Sequence, residues 1–409
     1  MECSQERIKK DIDTINAANM TPGKGVTRLT WSPEYMTAYR YVIDELEKIG
    51  AEVTICLAGA IRGRLAGSEP GKPVVMSGSH IDTVINGGQF DGQVGTFSAL
   101  EAARIIALNN VPHTHPIDVV VFPEEEGAGF GIGLGGSSVW TGDLELERLY
   151  QAKNRDGVTY QEAMAAAGVT VEDQAPLESE KIKNMLEIHI EQSVVLDQEG
   201  VSIGVIESIA GMKWSEIIIE GVANHAGGTP MSYRNDAFQG AVRVIAGLEE
   251  IAANQMGPNT VGTCGFVKVE PGSANVIPGR VEMIFDMRDS DSAYLDKMPK
   301  KVKELAEGIC QERGLGLQMR ERISVPPVKI QDYLVKLIHE KSRGRGVEAL
   351  GMMSGALHDS CKLADLTDIG MIFVPSKDGR SHCPEEWTDW QDIKIGADIL
   401  LDTIIELAK

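Results

Sequence analysis

Residues 73–110 read PVVMSGSHIDTVINGGQFDGQVGTFSALEAARIIALNN. The apolar start, Pro73–Ser79, is predicted to form a buried strand, and Thr96–Asn110 carries apolar residues at helical spacing. Between them the loop Gly78–Gly92 combines glycines with His80, Asp82 and Asp91. Such a loop is an ordinary acidic turn, a phosphate cradle or one side of a metal site. Its surroundings decide which.

Working outward, "PEYMTAYRYVIDELEKIG" is predicted to be a helix closed by Gly50. "AEVTICLAG" is predicted to be a strand, and "IDVVVFPEEEG" is an apolar run of the kind buried on both faces of a sheet. "NMLEIHIEQ" and "IGMIFVPS" add two more strands. Strands alternating with helices predict an α/β domain with helices on both faces. The middle of the chain differs. "KWSEIIIEGVA", "SYRNDAFQGAVRVIAGLEEIAANQ", "GTCGFVKVEPGSANVIPGRVEMIFDMRDSD", "SAYLDKMPKKVKELAEGICQERG" and "LGLQMRERISVPP" follow the order βαββαβ of a small ferredoxin-like domain. The expected organisation is a catalytic domain of residues 1–211 and 330–409, with an inserted domain of residues 212–329. Two domains also suit a length of 409 residues.

A hydrophobic content of 43% with 24% charged residues is ordinary globular composition. The formal charge of −21 argues against nucleic acid or anionic lipid as partner, because phosphate is repelled over most of the surface. An anionic substrate would need local cations to hold it. The six cysteines are scattered without CxxC pairs, which points to a reducing compartment. The start "MECSQERIKK" has no signal-peptide core, and no apolar stretch reaches membrane-spanning length, so a cytoplasmic protein without membrane contact is expected.

Four segments place histidines and acids after strands: His80, Asp82 and Asp91; Glu124, Glu125 and Glu126; His189 within "LEIHIEQ"; and His382 within "VPSKDGRSHCPEE". Open α/β sheets bind ligands beyond the carboxyl ends of their strands. Adjacent carboxylates repel one another unless a cation holds them. Imidazoles with carboxylates suit zinc, manganese, cobalt or nickel. "GIGLGG" (Gly131, Gly133, Gly136) matches GxGxxG, yet the three preceding glutamates oppose a pyrophosphate. The middle domain carries His225, Arg234, Asn275 and Arg288. By itself Arg288 is either an ion-pair partner of Asp286 or Asp289, or a bidentate clamp for a substrate carboxylate.

"GVTRLTWSPE", "GSHIDTVINGGQFDG", "EEEGAGFG", "EIHIEQ", "NHAGGTPM", "NVIPG", "SGALHD" and "GRSHCPEE", in this order, resemble the hydantoinase/carbamoylase amidases of the aminoacylase-like metallopeptidase superfamily. The resemblance implies two divalent ions per subunit and a lid domain that pairs in a homodimer. It implies His80, Asp91, Glu126, His189 and His382 as ligands, with Asp91 bridging and Asp82 orienting His80. Glu125 would be the general base. His225, Asn275, Arg288, Gln192, Ser354 and Gly355 would contact substrate, His225 also as donor to the oxyanion. The implied reaction is hydrolysis of a small anionic ureido acid.

Two substrates compete, with an aminoacylase or dipeptidase on the same scaffold as a third reading. Trp214 stands where allantoate amidohydrolases carry an arginine, which favours N-carbamoyl-L-amino acids over allantoate. Ser138 stands where relatives often have a cation, and Leu357 where glycine is common. A metal-free scaffold protein is the alternative outside enzymes, against which the complete ligand set speaks.

Overall fold

The strand Val74–His80 is buried at every position and sits inside a mixed nine-stranded sheet. The computed structural model describes residues 1–409. Its chain divides into two compact units: Met1–Glu207 with Ile330–Met352 and His358–Lys409, and Ser208–Lys329 with Met353–Leu357.

In the first unit four neighbouring strands run parallel, in the order Ile117–Phe122, Val74–His80, Ile182–Ile190, Asp368–Val374. His80 lies opposite Phe122, and His189 opposite Phe373. The carboxyl ends of all four strands are therefore level, and the loops leaving them start from one edge. Ile188 points to the helix Trp390–Leu407, where a Cβ on Gly396 would come within 2.5 Å of it. Glu187 turns the other way and accepts the Ser360 N–H of the helix Asp359–Leu363. Helices thus cover both faces, in keeping with strands buried at nearly every position.

The helix Gln93–Leu108 begins three residues before the apolar spacing indicated, directly after Asp91 and Gly92. It is buried on all sides up to Ile106, and the charges this encloses are paired: Glu101 with Arg7 and Arg104, and Arg104 also with Asp11 and Glu45. The sequence reading placed one strand over residues 51–59. The structure has Glu52–Ile55, a turn with Ala58 at φ 56°, and a hairpin partner Ile61–Leu65 that completes the antiparallel edge.

The second unit is a four-stranded antiparallel sheet in the order Gly316–Val325, Gly211–Glu220, Arg280–Asp289, Val261–Glu270. In chain order this is 4-1-3-2, with the helices Ala237–Gln255 and Ser292–Arg313 packed on one face. Val281, Met283, Phe285 and Met287 are fully buried beneath them. Each such side chain contributes roughly 1.5–3 kcal/mol. The first helix starts at Ala237, later than the predicted Ser232, because the Asp236 carboxylate takes the N–H groups of Phe238 and Gln239. Met353–Leu357 also cluster here and not with the residues around them, since Ser354 O accepts the Ala210 N–H and Gly355 O accepts from Arg288. No helix is long and apolar enough to cross a membrane.

Candidate metal centre

Asp91 is the meeting point of three imidazoles. His80 Nε2 and His189 Nε2 stand 3.4 and 3.2 Å from its Oδ1, and His382 Nε2 stands 3.2 Å from its Oδ2. His382 Nε2 is also 3.5 Å from Glu126 Oε2. Two groups of donor atoms result, His80–Asp91–His189 and Asp91–Glu126–His382, sharing Asp91. Its two carboxylate oxygens face different groups.

Donor chemistry and spacing both fit divalent cations. An ion bonded tetrahedrally at about 2.0–2.1 Å sets its ligands about 3.3 Å apart, close to the separations seen here. Glu126 Oε1 is buried without a hydrogen-bond partner, as a lone pair reserved for a cation would be. Burial, with Asp91 nearby, pushes the Glu126 carboxyl up to about 7. Burial also holds Glu125 well above the carboxylate range, outweighing the pull of His80, and Glu126 and Asp359 raise it further. Burial should lower His80, but Glu125, Asp91 and Asp82 hold it well above the imidazole range. The site carries more buried negative charge than the protein balances.

The three consecutive glutamates point to different partners. Glu124, with φ 59°, turns inward to accept the Phe130 N–H and is fully buried. Glu125 places Oε2 3.6 Å from His80 Nε2. Asp82 fixes this turn by accepting the N–H groups of Glu125 and Glu126 at 3.3 and 3.1 Å. His80 Nδ1 is held at 3.0 Å by the main-chain oxygen of Asp82, whose carboxylate is 3.7 Å away. Asp82 therefore orients His80 chiefly through its backbone, while its side chain aims the glutamates.

Gln192 and His382 also occupy the left-handed region, with φ 55° and 56°. Such conformations cost energy and concentrate at functional sites. Gly92, with φ 70°, is the glycine the site cannot replace: a Cβ there would lie 2.4 Å from the His80 ring. Gly92→Ala is expected to lower unfolding free energy by about 1–3 kcal/mol and to weaken metal binding. Gly23→Ala, where φ is 82° and nothing lies within 4 Å, carries the conformational cost alone. Urea unfolding of both variants checks this, and equal losses would mean the His80 contact is harmless.

Of the acids on the His189 face, Glu187 forms a further group of donor atoms with His189 and His358, and Glu191 joins none. Glu187 binds the Ser79 hydroxyl and the Ser360 N–H, and Glu191 caps Val195 and Leu196. Gln192 Nε2 donates to Asp91 Oδ2 at 2.8 Å, and its Oε1 is buried without a partner. The glycines of "GIGLGG" offer no cradle, because Leu134, Gly135 and Gly136 give their N–H groups to the carbonyls of Glu125, Glu124 and Pro123. They pin the glutamate turn instead. Ser138 is buried in the short helix Gly135–Thr141.

Sequence reasoning missed Glu386. It is buried, accepts the N–H groups of Phe90 and Asp91, and lies 2.9 Å from Ser381 Oγ, which is 3.1 Å from Asp91 Oδ2. The signal was present in "HCPEE", where a second acid follows the histidine. His358 was missed too: its ring meets His189 edge-on at 4.6 Å. His382, with its side chain 48% exposed, is the solvent-facing member of an otherwise buried set.

His225, Asn275, Arg288, Ser354 and Gly355 belong to the second unit. His225 pairs with Val276, and Asn275 O accepts the Ala226 N–H, so His225 and Asn275 are neighbours. His225 Nδ1 accepts the N–H groups of Gly227 and Gly228. Its ring proton is consequently on Nε2, leaving that atom a donor. Arg288 makes a two-point pair with Asp286, at 3.0 and 2.8 Å, and gives a third N–H to Gly355 O.

The model of peptidase family M20/M25/M40 matches residues 76–406. The chain belongs to this family. Members of the family use divalent metals, in keeping with the two donor groups around Asp91. This M20 chain is 37% identical over 407 residues to an N-carbamoyl-L-amino-acid amidohydrolase of Pseudomonas sp. (strain NS671), covering 98% of each. It is 32% identical to an allantoate amidohydrolase of Escherichia coli (strain K12), covering 99% of this chain and 98% of the relative. Among solved structures, an amidase of the hydantoinase/carbamoylase family from Burkholderia multivorans superposes with a TM-score of 0.93 at 31% identity, over 100% of this chain and 98% of that one. Within the M20 family the chain is thus similar to amidases acting on C–N bonds.

Proposed function

We propose that this chain hydrolyses N-carbamoyl-L-amino acids, consuming water and releasing the amino acid, ammonia and carbon dioxide. The observation that carries the reading is the sharing of Asp91 between two donor groups, one per carboxylate oxygen. It supports a pair of divalent ions held by His80, Asp91, Glu126, His189 and His382. Such ions, when bound, acidify water toward neutral pH and polarise a carbonyl oxygen.

The chain's own groups do the rest. Glu125, aimed by Asp82, accepts the proton of the attacking water and returns it to the leaving nitrogen. His225 donates from Nε2 to the oxygen that gains negative charge. Arg288 holds the substrate carboxylate. Three of its five N–H groups are engaged by Asp286 and Gly355, which fixes the plane and leaves two for an incoming anion. Asn275 and the Gln192 amide supply further polar contacts.

Ammonia release from N-carbamoyl-L-amino acids, N-carbamoyl-β-alanine and allantoate, measured beside free amino-acid release from the N-carbamoyl- and N-acetyl-amino acids, tests the proposal. The highest kcat/KM is expected with an N-carbamoyl-L-amino acid. Preference for allantoate would overturn the substrate, and hydrolysis of acetyl compounds alone would overturn the reaction class.

A further inference from the structure

The open face of the four-stranded sheet carries a cavity beside Arg288. Its volume is about 490 Å³, and Trp214, Val261, Thr263, Phe266, Ile284 and Asp286 line it together with Arg288 and the Gly265 and Gly355 backbones. The strand register explains how these side chains come together. Asp286 lies between Trp214 and Thr263, Arg288 between Met212 and Val261, and Ile284 between Glu216 and Phe266. A register shift in the edge strand leaves Gly265 without an opposite residue. Cys264 faces the helices opposite Phe285, and the extra residue returns Phe266 to the open face. A bulge used in this way re-aims a side chain. Here it adds an aromatic wall to the cavity.

The lining is sharply divided. At one end Arg288 and Asp286 neutralise one another while Arg288 keeps two N–H groups for an anion. The rest is Trp214, Val261, Phe266 and Ile284, with Thr263 as the one hydroxyl. Val261 is 51% and Phe266 43% exposed, a large apolar surface for a chain with a charge of −21. In addition, Trp214 Nε1 is buried without an acceptor.

We propose that this cavity takes the side chain of the substrate and selects large apolar L-amino acids. The inference rests on the preceding reading, in which Arg288 holds the α-carboxylate. In an α-amino acid the side chain leaves the carbon that bears the carboxylate. A carboxylate on Arg288 therefore puts the side chain against the walls that flank Arg288. A second ureido group, as in allantoate, carries one C=O and three N–H groups. It would find Trp214 Nε1 and the Thr263 hydroxyl as the neutral side-chain partners there, too few to replace its water. An aromatic or branched apolar group would lose only unfavourable hydration.

The test is kcat/KM across N-carbamoylglycine and the N-carbamoyl derivatives of L-alanine, L-leucine and L-phenylalanine. A rise on the order of tenfold or more per large step in apolar size is expected. In Phe266→Ser, the phenylalanine-to-glycine ratio of kcat/KM should fall about tenfold or more. Turnover of N-carbamoylglycine reports separately that the variant is folded. A flat wild-type series, or a ratio unchanged by Phe266→Ser, would overturn the side-chain pocket while leaving carbamoyl hydrolysis intact. No turnover of any carbamoyl compound would overturn the reaction itself.

Discussion

Glu125→Gln is expected to lower kcat by about 10²–10⁴-fold while the protein keeps its bound metal. The amide preserves the volume and the fold of the turn, because Asp82 holds Glu125 and Glu126 through their backbone N–H groups and not through the side chain that changes. What is lost is the ability to accept a proton. Burial and the neighbouring acids hold the Glu125 carboxyl well above the usual carboxylate range. The ligand cluster is otherwise untouched. Steady-state ammonia release together with metal analysis separates the outcomes: full activity would remove Glu125 from the reaction, and metal loss would make it a ligand.

Asp91→Asn should have the second large effect, on metal and turnover together. Asp91 faces His80 and His189 with one oxygen and His382, Gln192 and Ser381 with the other. An amide of the same shape keeps the loop, whose backbone is fixed by Glu386. It removes the negative charge and replaces one acceptor oxygen with a donor facing imidazole nitrogens. Metal affinity and kcat should each fall on the order of 100-fold or more, beyond the 10–100-fold typical of supporting residues. The melting temperature in chelator should shift far less than that in saturating metal. Wild-type metal content in Asp91→Asn would show that the shared carboxylate is not a bridge.

The fold was readable where pattern and burial agree. Val74–Met76 and Val119–Phe122 are apolar without alternation because both faces are covered, and Arg280–Asp289 alternates because one face is open. The strand Ile61–Leu65, second from the sheet edge, was harder, since its two arginines interrupt the apolar signal. Those arginines reach Asp173 and Asp118, which are distant in sequence. The histidines and acids that cluster around Asp91 were visible as types that apolar strands rarely deliver in sequence. Roles depending on three-dimensional aim were not. Nothing in "HIDT" says that the Asp82 carboxylate serves the glutamate turn and its carbonyl serves His80. Nothing in "CPEE" says which acid turns inward to carry the backbone of Asp91. The pocket beside Arg288 was hidden for a similar reason: it depends on one bulged glycine that sequence periodicity cannot register.

The most direct measurement is the number of divalent ions per chain after chelation and metal replacement, read by mass spectrometry on the same sample assayed for ammonia release. Two donor groups sharing Asp91 predict two ions per wild-type chain, with turnover lost in chelator and restored on reloading. Full turnover by a chain holding no divalent ion would contradict the account.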